Sequence, residues 1–342
     1  MRNLYAALDF SAPDGRTVHD AFSQLSPDAY GNATLASFDM HRMLSDLILP
    51  GTLSRTPQKD GGWHAFVQPY AGTFDQPGRS GMGGYDATNV GLIGGAERST
   101  PGGLTVGGHV VFNHQSMTGD TNGKLHGEGL YLGAQGLYAP ADWGGWNVFG
   151  VGRVGMENWR MQRAVSFTGY GRENSKDWTG VSGSARAGVG YEADWGTLKA
   201  GPFAALDYAF TSRPSLTEND GMGSRLHLDS ATFHSLRSSL GVRMGTDENA
   251  FGRHATWKAH ASAAWNHELL DKAGTAHASF VEAANAGFSN TVKIPGRDSL
   301  GLGAGVSFNT DKDVSFSLNA GSELFRRDGT SVYGNLAVEW TF

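Results

Sequence analysis

The chain has 342 residues, no cysteine, 27 Lys and Arg against 33 Asp and Glu, and a net charge of -6 with its histidines neutral. This composition excludes a disulfide framework, a cysteine-ligated metal and a thiol nucleophile, and it lacks the basic excess of a nucleic-acid binder. Glycine is the outlier at 50 residues, and no apolar run reaches the roughly 18 residues a membrane-crossing helix requires.

The first five residues, Met1 to Tyr5, lack the apolar core of a signal peptide, so an exported product is expected to be a piece of a longer precursor, an excised fragment, or a chain whose start is mis-assigned. Leu4, Ala7 and Leu8 form a short apolar helical face, and Val18, Ala21, Phe22 and Leu25 form another. Ser26-Pro27-Asp28 then reads as a helix start: a capping hydroxyl, a proline suited to the first turn, and an acid placed against the helix dipole. Only Gly31 weakens the helix before Pro50-Gly51, where it is expected to stop. About 23 residues at 1.5 Å each span roughly 35 Å, the thickness of a bilayer's hydrocarbon core and a margin. Asp39, His41, Arg42 and Asp46 prevent this helix from facing lipid, because each charge there costs a few kcal/mol. Charges all round suit a polar channel or water. The segment alone is equally compatible with a surface helix of a soluble protein.

Residues 51–61 read as a linker, and from Trp63 onward the period changes to two. Twelve segments follow: 62–74, 84–98, 102–116, 123–138, 144–161, 178–193, 196–210, 228–245, 255–268, 298–309, 312–325 and 331–342. In the last, Val332, Gly334, Leu336, Val338, Trp340 and Phe342 share one face, and Tyr333, Asn335, Ala337 and Glu339 the other. Leu300, Leu302, Ala304, Val306 and Phe308 likewise oppose Gly301, Gly303, Gly305 and Ser307. Leu240, Val242 and Met244 oppose Arg237, Ser239, Gly241 and Arg243.

Soluble sandwiches also alternate, but their strands are mostly about 5–6 residues long, whereas a membrane strand needs about 9–11. Tryptophans at 63, 143, 146, 159, 195, 257, 265 and 340 lie near segment ends, as an aromatic girdle requires. Short turns near Thr100, Asp142, Trp195, Asn249 and Asp311 alternate with connections that include long ones at 162–177, 211–227 and 269–297. Lipid leaves no backbone group unpaired, so such a sheet must close. A closed barrel of this size lies between the 8 strands that side chains fill and the 16–18 that leave a channel, and it has room for one helix about 10–12 Å wide. The expected fold is an all-β membrane protein, a 12-stranded antiparallel transmembrane β-barrel with an N-terminal α-helix plugging the pore. The helix would enter from the periplasmic rim and leave residue 1 facing outside.

Several stretches carry a family resemblance: Leu25-Ser26-Pro27-Asp28-Ala29-Tyr30; Gly84-Tyr85-Asp86 with Gly91-Leu92-Ile93-Gly94-Gly95; Ser235-Leu236-Arg237 with Leu240-Gly241-Val242-Arg243; Trp257 and Trp265 with His267-Glu268; and Pro295-Gly296-Arg297-Asp298-Ser299. In this order the chain resembles the C-terminal translocator unit of Gram-negative autotransporters (type V secretion) from about Leu25 to Phe342. The resemblance implies an outer-membrane translocator and anchor for an N-terminal passenger absent from this chain. Its partners would be outer-membrane lipid and the barrel assembly machinery, and no nucleic acid. The machinery would read the terminal signal Leu336, Val338, Trp340 and Phe342. The division that follows is 1–25 as passenger-proximal linker, 26–61 as pore helix and linker, and 62–342 as barrel. Some relatives cut their passenger at an Asn-Asn pair; residues 1–50 contain none.

No enzyme chemistry emerges. Gly119–Lys124 lacks phosphate-loop spacing, the serines at 182 and 184 lack a nucleophile elbow, and His254, His260, His267 and His277 lack metal spacing, so no cofactor or metal is expected. Arg237, Arg243, Glu323 and Glu339 are candidate lumen charges that could hold the plug through Asp39, Arg42 or Asp46; pore hydration is an equal reading. The rival function is a stand-alone outer-membrane porin or channel. Near the midplane Leu336→Arg or Val338→Arg is expected to cost about 2–4 kcal/mol, and Asn335→Arg far less.

Overall fold

The structure, a computed structural model, describes residues 2–11, 15–53, 62–78, 83–120, 123–167, 169–311 and 313–342. Three helices come first: α1 Arg2–Ser11, α2 Gly15–Leu25 and α3 Asp28–Leu53. Twelve long strands follow: β1 Gly62–Gln76, β2 Tyr85–Ser99, β3 Leu104–Gly119, β4 Gly123–Tyr138, β5 Trp146–Phe167, β6 Tyr170–Tyr191, β7 Leu198–Arg213, β8 Ala231–Thr246, β9 Ala255–Glu268, β10 Asp298–Thr310, β11 Val314–Arg326 and β12 Gly329–Thr341. Each pairs antiparallel with the next, and β12 pairs with β1 from His64↔Thr341 to Asp75↔Thr330, which closes the barrel. Trp63 and Phe342 exchange both backbone hydrogen bonds across this seam, at 3.0 and 2.9 Å.

The alternation read from the sequence is the alternation of the wall. On β12 Val332, Leu336 and Trp340 are exposed, as is Phe342 just after it, while Ser331, Tyr333, Asn335, Ala337 and Glu339 are buried. On β5 the outward apolar positions run from Trp146 to Met156 and polar residues begin at Asn158. Ten residues at about 3.3 Å on a strand tilted about 40° rise roughly 25 Å, one hydrocarbon thickness. The exposed tryptophans at 63, 143, 146, 195 and 340 lie at the short-turn end and form one girdle. Trp159 is the exception: it is buried inside and stacks on Trp178 at 6.1 Å.

Three expectations change. The 162–177 connection is strand, because β5 and β6 run 22 residues each and pair through Phe167↔Tyr170, raising a wall above the membrane level. Val165, Phe167 and Tyr170 on its inner side pack against Leu4, Ala7, Ala21 and Leu25, and this apolar contact holds α1 and α2 over the lumen. The 211–227 and 269–297 connections contain a second sheet, in which the hairpin Lys272–Phe280 and Ala283–Lys293 pairs with Leu226–Leu228 and then Leu216–Thr217. Finally, α3 continues through Pro50 to Leu53. Pro50 forfeits the bond to the Asp46 carbonyl and crowds it, but with only three residues left in the helix the kink this causes does not end it.

Candidate functional site in the barrel lumen

Helix α3 fills the lumen. Its first turn lies at the mouth with the longer connections, where Asn32 Nδ2 donates to the Gly84 carbonyl at 3.0 Å and the Gly83 N–H donates to Asp28 at 3.1 Å. Its last turn lies at the short-turn mouth, beside Gln68 and Glu339. Nearly every side chain from Asp28 to Leu49 is buried, on polar and apolar sides alike. A soluble helix buries one stripe; this one is enclosed all round, so its charged groups must find partners in the wall.

They find them at four levels. At the top, Tyr30 Oη donates to Glu218 at 3.1 Å, and Glu218 accepts a two-pronged contact from Arg163 at 3.1 and 2.6 Å. One level down, Asp39 accepts from Nη1 and Nη2 of Arg326, the latter at 2.9 Å, and from Tyr85 Oη at 2.6 Å. Arg42, at i+3, lies 3.5 Å from Asp39 and donates to Glu268 at 2.7 Å and Ser235 at 2.6 Å. On the β4–β6 side, Ser37, Tyr131 and Ser182 all donate to one oxygen of Glu157 at 2.6–2.7 Å. His41 Nε2 meets Ser182 at 2.9 Å, and Arg153 donates to the His41 carbonyl at 2.8 Å. Lowest, Asp46 accepts from Tyr333 Oη at 2.6 Å and from Arg186, which also binds Asp207 at 2.6 Å.

Apolar contacts interleave with these levels. Phe38, Met40, Met43, Leu44, Leu47 and Ile48 belong to one cluster with the inward rings of Phe66, Tyr70, Tyr85, Tyr131 and Tyr333. Inward glycines make that approach possible. A Cβ on Gly72 would lie 2.5 Å from Met43 Sδ and 2.9 Å from Tyr333 Cβ. The packing of α3 against the wall is not uniform around the lumen. Beside β8–β11, where the inward residues are Ser239, Ser262, Gly301, Gly303, Ser307 and Ser317, cavities of about 130 and 220 Å³ remain.

The other candidate charges occupy the wall. Arg237 donates to Glu323 at 2.9 Å, and Ser299 donates to the same carboxylate at 2.7 Å. Arg243 donates to Asn147 at 2.7 Å and lies 2.8 Å from Glu192. Glu339 points inward near the end of α3. The acid–base partners of α3 are instead Arg326, Glu268 and Arg186, which the sequence reading did not assign to the helix. The signal for Arg326 was hidden by a register shift: between Glu323↔Ser331 and Arg326↔Gly329, β11 spends one more residue than β12. Phe325, at φ 62°, turns outward and Arg326 points in, against the simple alternation. Among the described residues no group of three or more His, Asp or Glu has the geometry of a metal site.

The barrel closes β1 to β12 with a helix threaded through it, and the autotransporter beta-domain family matches residues 65–321. The chain belongs to the autotransporter β-domain family. No curated protein sequence matches it. Among solved structures it is similar to the translocator domain of the autotransporter NalP from Neisseria meningitidis, with TM-score 0.69, 13% identity, 91% of this chain and 97% of that one. It is also similar to the β domain of the Bordetella autotransporter BrkA (TM-score 0.59, 20% identity, 83% and 100%) and to the transport unit of AIDA-I from Escherichia coli (0.59, 12%, 91% and 99%). The family places the barrel in the Gram-negative outer membrane as a translocator and anchor for a passenger.

Proposed function

We propose that this autotransporter β-domain works as a conduit and anchor, not as an enzyme, and that α3 is the stopper that stays in the path its passenger takes. The observation that carries the reading is the direction and enclosure of α3. It runs 26 residues from the long-connection mouth to the short-turn mouth, with α1 and α2 above it. With the short turns in the periplasm, a passenger preceding residue 1 would emerge at the cell surface and remain tethered through residues 1–25. Residues 26–61 then serve as plug and linker, and 62–342 as barrel. Asp39, Arg42 and Asp46 hold the plug, because their wall partners Arg326, Glu268 and Arg186 would lose them if α3 left the lumen. The pairs Arg237–Glu323 and Arg243–Glu192 keep the wall charges satisfied while the helix passes, and Glu339 hydrates the periplasmic exit. Leu336, Val338, Trp340 and Phe342 present the outward edge that the assembly machinery reads, a role supported by their place on, and just after, the strand that closes the barrel. The outward belt meets outer-membrane lipid.

A porin would keep its lumen open, and a helix filling it speaks against that alternative. The deciding experiment fuses a small epitope domain ahead of Met1, behind a signal peptide, and asks whether whole cells present it to added protease. Surface cleavage with the barrel intact is expected. An epitope held in the periplasm behind a folded barrel would overturn the assignment.

A further inference from the structure

The outer wall changes character abruptly over β3–β6. Residues paired in register form rows across these four strands. One row, Phe112–Leu130–Met156–Val181, is apolar, each side chain 41–57% exposed. One step higher, about 7 Å along the strands, the row is His114–Glu128–Asn158–Thr179. Above it come Ser116–His126–Arg160–Asp177 and then Thr118–Lys124–Gln162–Ser175. The step from grease to polarity within one register pair fixes where hydrocarbon ends and headgroups begin.

The chemistry at that depth is not uniform around the barrel. On β1 and β2 the outward residues beyond the belt are the paired acids Asp75 and Asp86. On β4 and β5 they include Lys124, His126 and Arg160, with the His114 ring stacked 6.4 Å from that of His126. Glu128 and Asp177 flank these cations. The Arg160–Asp177 contact is 3.6 Å with both side chains about 70% exposed, so it is loose and readily exchanged for a better acceptor. Directly above lies a surface cavity of about 420 Å³ lined by Lys124, Gln162, Glu173, Ser175 and Asp220.

We propose that the outer face of β3–β6 is a seat for a phosphorylated glycolipid of the outer leaflet. Its acyl chains lie on the Phe112–Leu130–Met156–Val181 row, its phosphate is held by Lys124, His126 and Arg160, and its sugar occupies the cavity above. Three features select a lipid over a free anion: His126 and Arg160 stand two rows above the hydrocarbon-facing side chains and Lys124 three, the reach of a headgroup whose chains lie on that row, they project outward from the wall, and the cavity continues their row. The seat rests on the reading that the short turns face the periplasm. The test below uses purified protein in detergent, so its failure is distinct from a failure of the surface-display experiment.

The folded full chain in detergent micelles is titrated with bisphosphorylated lipid A and followed by native mass spectrometry. The comparison probes are the same lipid without phosphates and inorganic phosphate alone. One bisphosphorylated lipid is expected to stay bound, about tenfold tighter than its dephosphorylated form. Lys124→Gln with Arg160→Gln should abolish that preference, while Asp75→Asn with Asp86→Asn should leave it unchanged. Should the first pair fail to fold, as judged by heat-modifiable migration, Lys124→Gln with His126→Gln carries the same expectation. Equal retention of both lipids, full binding by a folded cation variant, or inorganic phosphate binding as tightly as the lipid would each overturn the proposal.

Discussion

Removing the Asp39 carboxylate should loosen the plug without unfolding the barrel. Asp39 sits on α3 and accepts from Arg326 and from Tyr85, and Arg42 lies within 3.5 Å. The Arg326 and Asp39 side chains are 9% and 3% exposed. Asp39→Leu therefore leaves one guanidinium buried without its acid and a second, Arg42, with Glu268 only. Breaking a buried pair from one side costs about 3–5 kcal/mol. Strand pairing does not involve Asp39, so this penalty falls on the docked helix. The undocked fraction should rise roughly 10²–10⁴-fold. Single-channel recordings in planar bilayers read that fraction as open time. Arg326→Met should be milder, because Asp39 keeps Tyr85 and Arg42. Asp39→Leu combined with Arg326→Met should recover much of the closure, since an apolar pair of similar volume replaces the buried ions. An Asp39→Leu protein that folds, migrates normally and opens no more often than the wild type would refute the electrostatic account and leave apolar packing as the tether.

The remaining predictions concern the wall. Leu318→Arg, on the lipid side, should cost about 2–4 kcal/mol in unfolding from vesicles, whereas Ser317→Arg, beside the 220 Å³ cavity, should cost far less; equal losses would contradict the facing. Asn335→Arg is no longer expected to be mild: Asn335 is buried, donates to Gln68 at 3.0 Å and accepts from Asn319 at 2.9 Å, so an arginine would displace both. Gly72→Leu should drive Met43 and Tyr333 apart, cost about 1–3 kcal/mol and raise open time in the same recordings, whereas exposed Gly171→Ala should change neither. Deleting Phe342 removes both hydrogen bonds to Trp63, so a refolded barrel should lose about 1–3 kcal/mol of seam stability, and its level in outer membranes should fall more steeply than that loss explains; normal membrane levels would count against the terminal signal.

Much of this barrel is written locally. Whether Leu318 or Ser317 meets lipid is settled by strand geometry alone, because successive side chains alternate and only one face can be greasy in a bilayer. The strand number, the faces of β8–β12 apart from the bulged end of β11, and the start of α3 at Ser26-Pro27-Asp28 were therefore legible residue by residue. The side chains that meet inside were not. Asp39 and Arg326 stand 287 residues apart, and a one-residue bulge reverses the face on which Arg326 would otherwise lie. Inward Phe66, Ile93 and Met161 look misplaced in an aqueous lumen until α3 and its neighbours pack against them. The second sheet of short strands over the mouth, and the tall β5–β6 wall, exist because α1, α2 and the first turn of α3 offer them apolar surface to cover. Sequence periodicity determined which side of each strand is wet or greasy, since that depends on a residue and its neighbours. Only closure of the cylinder decided which charges pair and how far the lumen is filled, since those depend on what stands opposite.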